Sequence, residues 1–248
     1  MKLAVAGGTG TVGVHVVEVA RERGHEVVVL SRSAGVDLVS GSGLPDALSG
    51  VDAVIDVAST QTISAKESTA FFAAVTRNLL TAEGAAGIGH HVALSIVGID
   101  KAPYAYYAGK VEQERLVRAG AVPWTILRAT QFHEFAAQIR SQTSFGPLTV
   151  VPRMVSQPIA AREVAERLID LAERPPAGRV ADLGGPREER MAKMVRRYAR
   201  AIGARGPVLE VPLPGAYGRA MRDGTLVTTQ DSDHGLQTFD QWSAAQAR

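Results

Sequence analysis

The sequence predicts a doubly wound α/β fold: a mostly parallel Rossmann sheet with helices on both faces. Two observations carry that expectation. Short β-branched, apolar runs alternate with amphipathic helical stretches through the first 185 residues, and a glycine-rich turn joins the first run to the first helix. Residues 2–6 read as a buried strand, 11–23 as a helix and 26–31 as a second strand. A short extended piece is expected at 36–39, a small helix at 44–48, a strand at 52–57, a long helix at 66–86 and a strand at 91–96. Residues 104–119 fit a helix, 124–128 a strand, 162–173 a helix and 179–183 a last strand. The stretch 141–158, with Gly146, Pro147, Pro152 and Pro158, reads as loop with short strands. After a helix at about 188–202, the tail from Gly206 reads as irregular. One domain over 1–248 is expected, its discontinuous cap built from about 132–158 and 206–248.

Composition bounds the chemistry. With 46% hydrophobic and 21% charged residues among 248, the chain is expected to fold around a full core and not to be disordered. It has no cysteine, which excludes disulfides, thiolate metal sites and a cysteine nucleophile. A net charge of +2 gives no warrant for nucleic acid or membrane binding. With no apolar run of membrane-spanning length and no leader-like start, the expected location is cytoplasmic. His90 and His91, adjacent on one strand, point to opposite faces, so no metal site is expected. The basic stretch 187–200 alternates with Met191, Met194 and Tyr198, the pattern of an amphipathic surface helix.

The motif that bears most on function is Gly7-Gly8-Thr9-Gly10-Thr11-Val12-Gly13. Gly7 permits a tight turn, Gly10 lets backbone amides approach a pyrophosphate, and Gly13 lets helix and strand pack closely, with the positive end of the helix facing the anion. Contacts to a dinucleotide are therefore expected from Gly7, Thr9, Gly10, Thr11, Val12 and Gly13. Nineteen positions after Gly13, where a cofactor with a free ribose usually meets an acid, stands Arg32, between Ser31 and Ser33. A guanidinium flanked by hydroxyls suits a 2′-phosphate, so NADP(H) is expected over NAD(H).

The glycine loop, Ser31-Arg32-Ser33, Val-Ile-Asp-Val-Ala-Ser at 54–59 and Trp-Thr-Ile-Leu-Arg-Ala-Thr-Gln-Phe at 124–132 resemble the atypical short-chain dehydrogenase/reductases, most closely the NmrA-like and NAD(P)H-oxidoreductase branch. The likeness spans about residues 1–185, with Thr238-Phe239-Asp240-Gln241-Trp242 familiar near the end. It implies that Asp37 and Leu38 lie beside the adenine, that Ala58 and Ser59 line the cofactor channel, and that Thr130, Gln131 and Phe132 pass near the nicotinamide. It also implies a catalytic group of Tyr106, Lys110 and Ser95. In the family the tyrosine protonates a carbonyl as hydride arrives. The lysine binds the nicotinamide ribose and lowers the tyrosine pKa, and the serine orients the carbonyl. Tyr106 and Lys110 stand four apart and share a helix face, while Tyr107 sits beside them as an alternative acid. Gln131, Phe132 and His133 are expected at the substrate, and Phe132, Phe135, Phe145 and Trp242 would suit a planar ligand. The expected activity is NADPH-dependent reduction of a carbonyl, enone or quinone-like small molecule by a monomer or homodimer. The alternatives are an NADP(H)-sensing regulator without turnover, and a non-redox isomerase or epimerase.

Overall fold

The structure, a computed structural model, describes residues 1–247 as two units. The first comprises Met1–Ser95, Pro103–Arg128 and Arg162–Val180. Its centre is β1 (Lys2–Ala6), whose Leu3 to Ala6 have no solvent exposure. A run buried on both faces is what a parallel sheet requires. After β1 come α1 (Gly13–Glu22), β2 (Glu26–Leu30), α2 (Leu44–Ala47), β3 (Ala53–Asp56), α3 (Ala65–Ala86), β4 (His90–Ile96), α4 (Tyr106–Ala119) and β5 (Trp124–Ala129). The strands lie in the order β5-β4-β3-β1-β2. β1 pairs in parallel with both β2 and β3, with Ala4 opposite Val28 on one side and Val54 on the other, and β3 pairs in parallel with β4. This is the mostly parallel, helix-flanked sheet that the alternating pattern predicts.

Local chemistry sets the ends of α3. Ser64 accepts a hydrogen bond from the Glu67 amide at its start, and Gly87, with φ of 69°, closes it. Ser68, Phe72, Thr76, Leu79 and Glu83 recur at helical spacing on its buried side. α3 and α4 approach closely at Gly109, where a Cβ would stand 2.2 Å from Ser68 Oγ. The buried face of α4 is unusually polar, carrying Lys110, Gln113 and Glu114.

The second unit takes in Ile96–Ala102, Ala129–Ala161 and 181–248, and so contains both segments expected to form the cap. Within it Leu148–Pro152 is the middle strand of a three-stranded sheet, between Val208–Val211 and Ser144–Phe145. Met191–Ala201 is an amphipathic helix that buries Met191, Ala192, Met194 and Val195.

Three expectations need correction. Residues 36–39 are not extended: Asp37 accepts hydrogen bonds from the amides of Val39 (2.8 Å) and Ser40 (3.4 Å), which folds them into a turn. The last strand is two pieces, Gly178–Arg179 and Leu183–Gly184. Arg179 pairs with Ile126 and Leu183 with Ala129, so four steps of chain face three and the ladder must break between them. The tail is more ordered than its prolines suggest, with helices at Gly215–Arg222 and Phe239–Ala244, the latter closed by a capping box between Thr238 and Gln241.

Candidate functional site

At the end of β1 the chain turns through Gly7, with φ of 81°, and the Gly10 amide donates to the Gly7 carbonyl at 2.9 Å. A side chain at Gly7 would strike the backbone of Val57 and Ala58 at 2.8 Å, and one at Gly13 would lie 2.1 Å from the Gly7 carbonyl oxygen. At Gly10 the nearest atom would be 3.3 Å away. Thr9, Gly10 and Thr11 are exposed, while Val12 and Gly13 are buried. The first turn of α1 holds no acidic residue, so its amides and the positive end of its dipole present an uncompensated anion cradle.

Beyond β2, Arg32 and Ser33 are exposed in a single helical turn, and the Ser31 and Ser33 hydroxyls are 3.0 Å apart. Asp37 is the one acid in the segment 31–42, and its carboxylate is engaged in its own turn. Asn78 of α3 pins that turn by donating to the carbonyls of Leu38 (3.1 Å) and Val39 (2.8 Å).

Tyr106 opens α4. Ala105 before it has φ of 50° and ψ of −128°, and the Ser68 hydroxyl donates to the Tyr106 carbonyl at 2.7 Å. The Tyr106 ring meets Phe72 edge-on at 5.5 Å, and its hydroxyl lies 2.9 Å from Ser59 Oγ. Burial pushes the phenol up to about 12, against the lowering effect of the Ser59 hydrogen bond. One turn on, Lys110 is 4% exposed. Its ammonium donates to the Leu94 carbonyl at 2.6 Å and lies 4.7 Å from the centre of the Phe72 ring. Burial pushes it down to about 8, with Asp56 and Glu114 opposing. The expected lowering of the tyrosine pKa by this lysine is therefore corrected. The phenol is raised because desolvation dominates, and the ammonium is aimed at a carbonyl of β4.

Ser95, expected to orient a substrate carbonyl, has a protein partner. It is buried and donates to Glu114 at 2.6 Å. Glu114 further accepts from Arg128 Nε at 2.7 Å and Nη2 at 2.9 Å, and from Arg118. Burial alone would raise this carboxyl, but the bonds from Arg128 and Ser95 hold it below its usual range. The hydroxyl that meets Tyr106 is Ser59, which the sequence marks only as a cofactor neighbour. Tyr107 is buried, its ring 6.3 Å from that of Tyr106.

In the second unit Thr130 donates to the Gln157 carbonyl, and the Gln131 side chain is held by Ser156 at 2.9 Å and the Leu226 carbonyl at 3.2 Å. His133 has no exposure; it packs on Phe239 and Trp242, and its Nε2 lies 3.1 Å from the Gln237 carbonyl. These bonds and this burial place the Gln131 and His133 side chains among the second unit's own hydrogen bonds and ring contacts. Phe132 is partly exposed. Among the described residues no group of three or more His, Cys, Asp or Glu is placed to hold a metal, and no helix is long and apolar enough to cross a membrane.

A family model described as NAD(P)H-binding matches residues 7–175, which starts at the glycine cradle and runs through α4 and β5. The chain belongs to the NAD(P)H-binding family. No curated protein matches the sequence. Among solved structures, this NAD(P)H-binding protein is similar to a UDP-glucose 4-epimerase from Thermotoga maritima solved with UDP-glucose. The identity is 13%, 99% of this chain and 97% of that chain are covered, and the TM-score is 0.75. An NAD-dependent NDP-hexosamine 5,6-dehydratase of tunicamycin biosynthesis matches at 16% identity over 98% and 95% of the two chains, TM-score 0.73. A short-chain dehydrogenase/reductase superfamily protein from Agrobacterium tumefaciens with bound NAD matches at 20% identity over 100% and 96%, TM-score 0.68. The likeness is one of fold, and it agrees with the atypical short-chain dehydrogenase/reductase resemblance. A dinucleotide fits the residues present, because the exposed Gly10, where a Cβ would meet only the Gly7 carbonyl oxygen at 3.3 Å, leaves the approach to the first turn of α1 open.

Three polar residues escape the motif reading: Asp56, Gln113 and Glu114. Their signal is positional, since Gln113 and Glu114 follow Lys110 by three and four residues on the helix face the core should claim.

Proposed function

We propose that the protein is an NADP(H)-dependent oxidoreductase that reduces a carbonyl, enone or quinone-like small molecule, as an NmrA-like member of its family. The observation that carries this reading is the Tyr106 hydroxyl, kept protonated beside Ser59 and one helical turn from Lys110. When bound, a reduced nicotinamide supplies the hydride. Tyr106 donates its proton to the substrate oxygen, and Ser59, which is exposed, relays a replacement from solvent. Lys110 turns its ammonium from the Leu94 carbonyl to the ribose hydroxyls. Arg32 with Ser31 and Ser33 binds the 2′-phosphate.

A second reading, an epimerase or isomerase with retained cofactor, draws on the likeness in fold to sugar-nucleotide epimerases. It requires Tyr106 to act first as a base. With a phenol at about 12, roughly one molecule in 10⁵ is ionised at neutral pH, so protonation of substrate is the favoured direction. The test is NADPH oxidation against a panel of carbonyls and quinones, with Tyr106→Phe beside it. Turnover falling by ~10²–10⁴ while NADPH affinity stays within a few-fold supports the acid role. Tight NADPH binding with no substrate consumed replaces the enzyme with a nucleotide-sensing regulator.

A further inference from the structure

We infer that Asp56 is a positioning residue for the Tyr106–Lys110 pair: its carboxylate ties the exit of β3 to the buried face of α4 and supplies the counter-charge for the Lys110 ammonium. The inference rests on the reading that Lys110 holds the cofactor.

Asp56 ends β3 with no solvent exposure. One oxygen accepts from the Ala58 amide at 2.9 Å and the other from the Gln113 carboxamide at 2.7 Å. Ala58 precedes Ser59, whose hydroxyl meets Tyr106, and Gln113 lies three residues beyond Lys110 on α4. One side chain thus ties together both elements that meet in the Ser59–Tyr106 contact. It also fixes the Val57–Ala58 backbone, against which Gly7 is packed.

Charge supports the same assignment. The groups facing this layer are Asp56 from β3, Tyr106, Lys110 and Glu114 from α4, His91 from β4 with Glu83 from α3, and Arg128 from β5. Glu114 is bonded to Arg128 and Arg118, and Glu83 to His91. The two hydrogen bonds of Asp56 come instead from neutral donors, an amide and a carboxamide. Its charge reaches Tyr106 and His91 and acts on Lys110, where it is the first influence opposing desolvation. A fully buried ammonium without such a counter-charge gives up its proton at lower pH.

Asp56→Asn isolates the charge. Its side-chain oxygen still accepts from Ala58, and its new NH₂ can be met by the Gln113 Oε1, a buried atom that lacks a hydrogen-bond partner. The experiment measures NADPH dissociation constants from pH 6 to pH 9 for the unmodified protein, Asp56→Asn, Gln113→Leu and Lys110→Met. Asp56→Asn should match the unmodified protein near pH 6 and bind ~10-fold more weakly near pH 9 for each unit of lysine pKa lost, because above both pKa values the protonated fraction falls tenfold per unit. Gln113→Leu keeps the charge and breaks the tie, so it should weaken binding about equally at every pH; it also carries the test if Asp56→Asn does not fold. Superimposable curves for Asp56→Asn and the unmodified protein overturn the counter-charge, and an unchanged Gln113→Leu overturns the tie. Lys110→Met separates the two levels. If it binds NADPH normally, the cofactor role of Lys110 fails and the inference with it. If it loses binding while Asp56→Asn is unshifted, only the Asp56 assignment fails.

Discussion

At the end of β1, the loop Gly7–Gly13 presents backbone and open space, with Thr9 and Thr11 turned out to solvent. Further along the chain, β3 and α4 do the opposite and bury Asp56, Lys110, Gln113 and Glu114 among hydrogen bonds. Both regions serve a charged ligand in the proposed function, yet they are vulnerable in opposite ways. A site made of backbone amides survives loss of side chains and is destroyed by adding one. A site made of buried charges is destroyed by removing any partner, because the remaining charge keeps its desolvation cost.

The sharpest break of this comparison is Glu114→Ala, which strips the buried Arg128 guanidinium of its carboxylate. It should cost about 3–5 kcal/mol, a fall of roughly 10 °C in thermal midpoint. A midpoint within a degree of the original would place Glu114 outside the stabilising core. In the loop the converse applies, and two glycines separate. Gly13→Val drives a side chain into the Gly7 carbonyl and should destabilise the fold by about 1–3 kcal/mol. Gly10→Val has room in the free protein, so it should leave the melting curve nearly unchanged and abolish NADPH binding in calorimetric titration. NADPH affinity retained in that variant would mean the loop holds no phosphate.

A smaller effect is expected where the two modes meet, at the exposed Arg32. Arg32→Ala should weaken NADPH by about 1.5–3 kcal/mol, ten- to a hundredfold, and leave NADH nearly unaffected. Equal affinities for the two cofactors in the unmodified protein would remove the 2′-phosphate assignment. The smallest is Ala105→Gly. Ala105 is the one non-glycine at positive φ among the described residues, and it directs the chain into Tyr106. Glycine relieves the strain but adds freedom to the unfolded chain, so the midpoint should move by the equivalent of about 1 kcal/mol or less. Any larger loss of turnover than of stability in that variant would show that the backbone there aims the phenol.

Much of this molecule was legible without coordinates. The apolar runs gave β1 and β3 to β5, whose burial on both faces follows from their own composition, and β2, half-buried at the sheet edge, carried the same apolar signal. The glycine loop gave the cradle, because only glycine tolerates the Gly7 turn and the Gly13 contact. Spacing alone put Tyr106 and Lys110 on one helix face. What it could not supply were partners across elements. Ser95 stands where a catalytic serine is expected, yet it donates to Glu114, nineteen residues away in sequence, while Ser59, forty-seven residues from Tyr106, meets the phenol. His133 follows a strand end suited to substrate, but Phe239 and Trp242 enclose it.

In the first unit the local code therefore determined most of the strands and helices, since hydrogen bonding to near neighbours and side-chain period decide those. Tertiary structure alone decided which polar groups share a buried layer and so which protons are held: the phenol of Tyr106 raised, the ammonium of Lys110 lowered. Desolvation and charge act through space, and the distances that set them do not exist until β3, β4, α3 and α4 have packed.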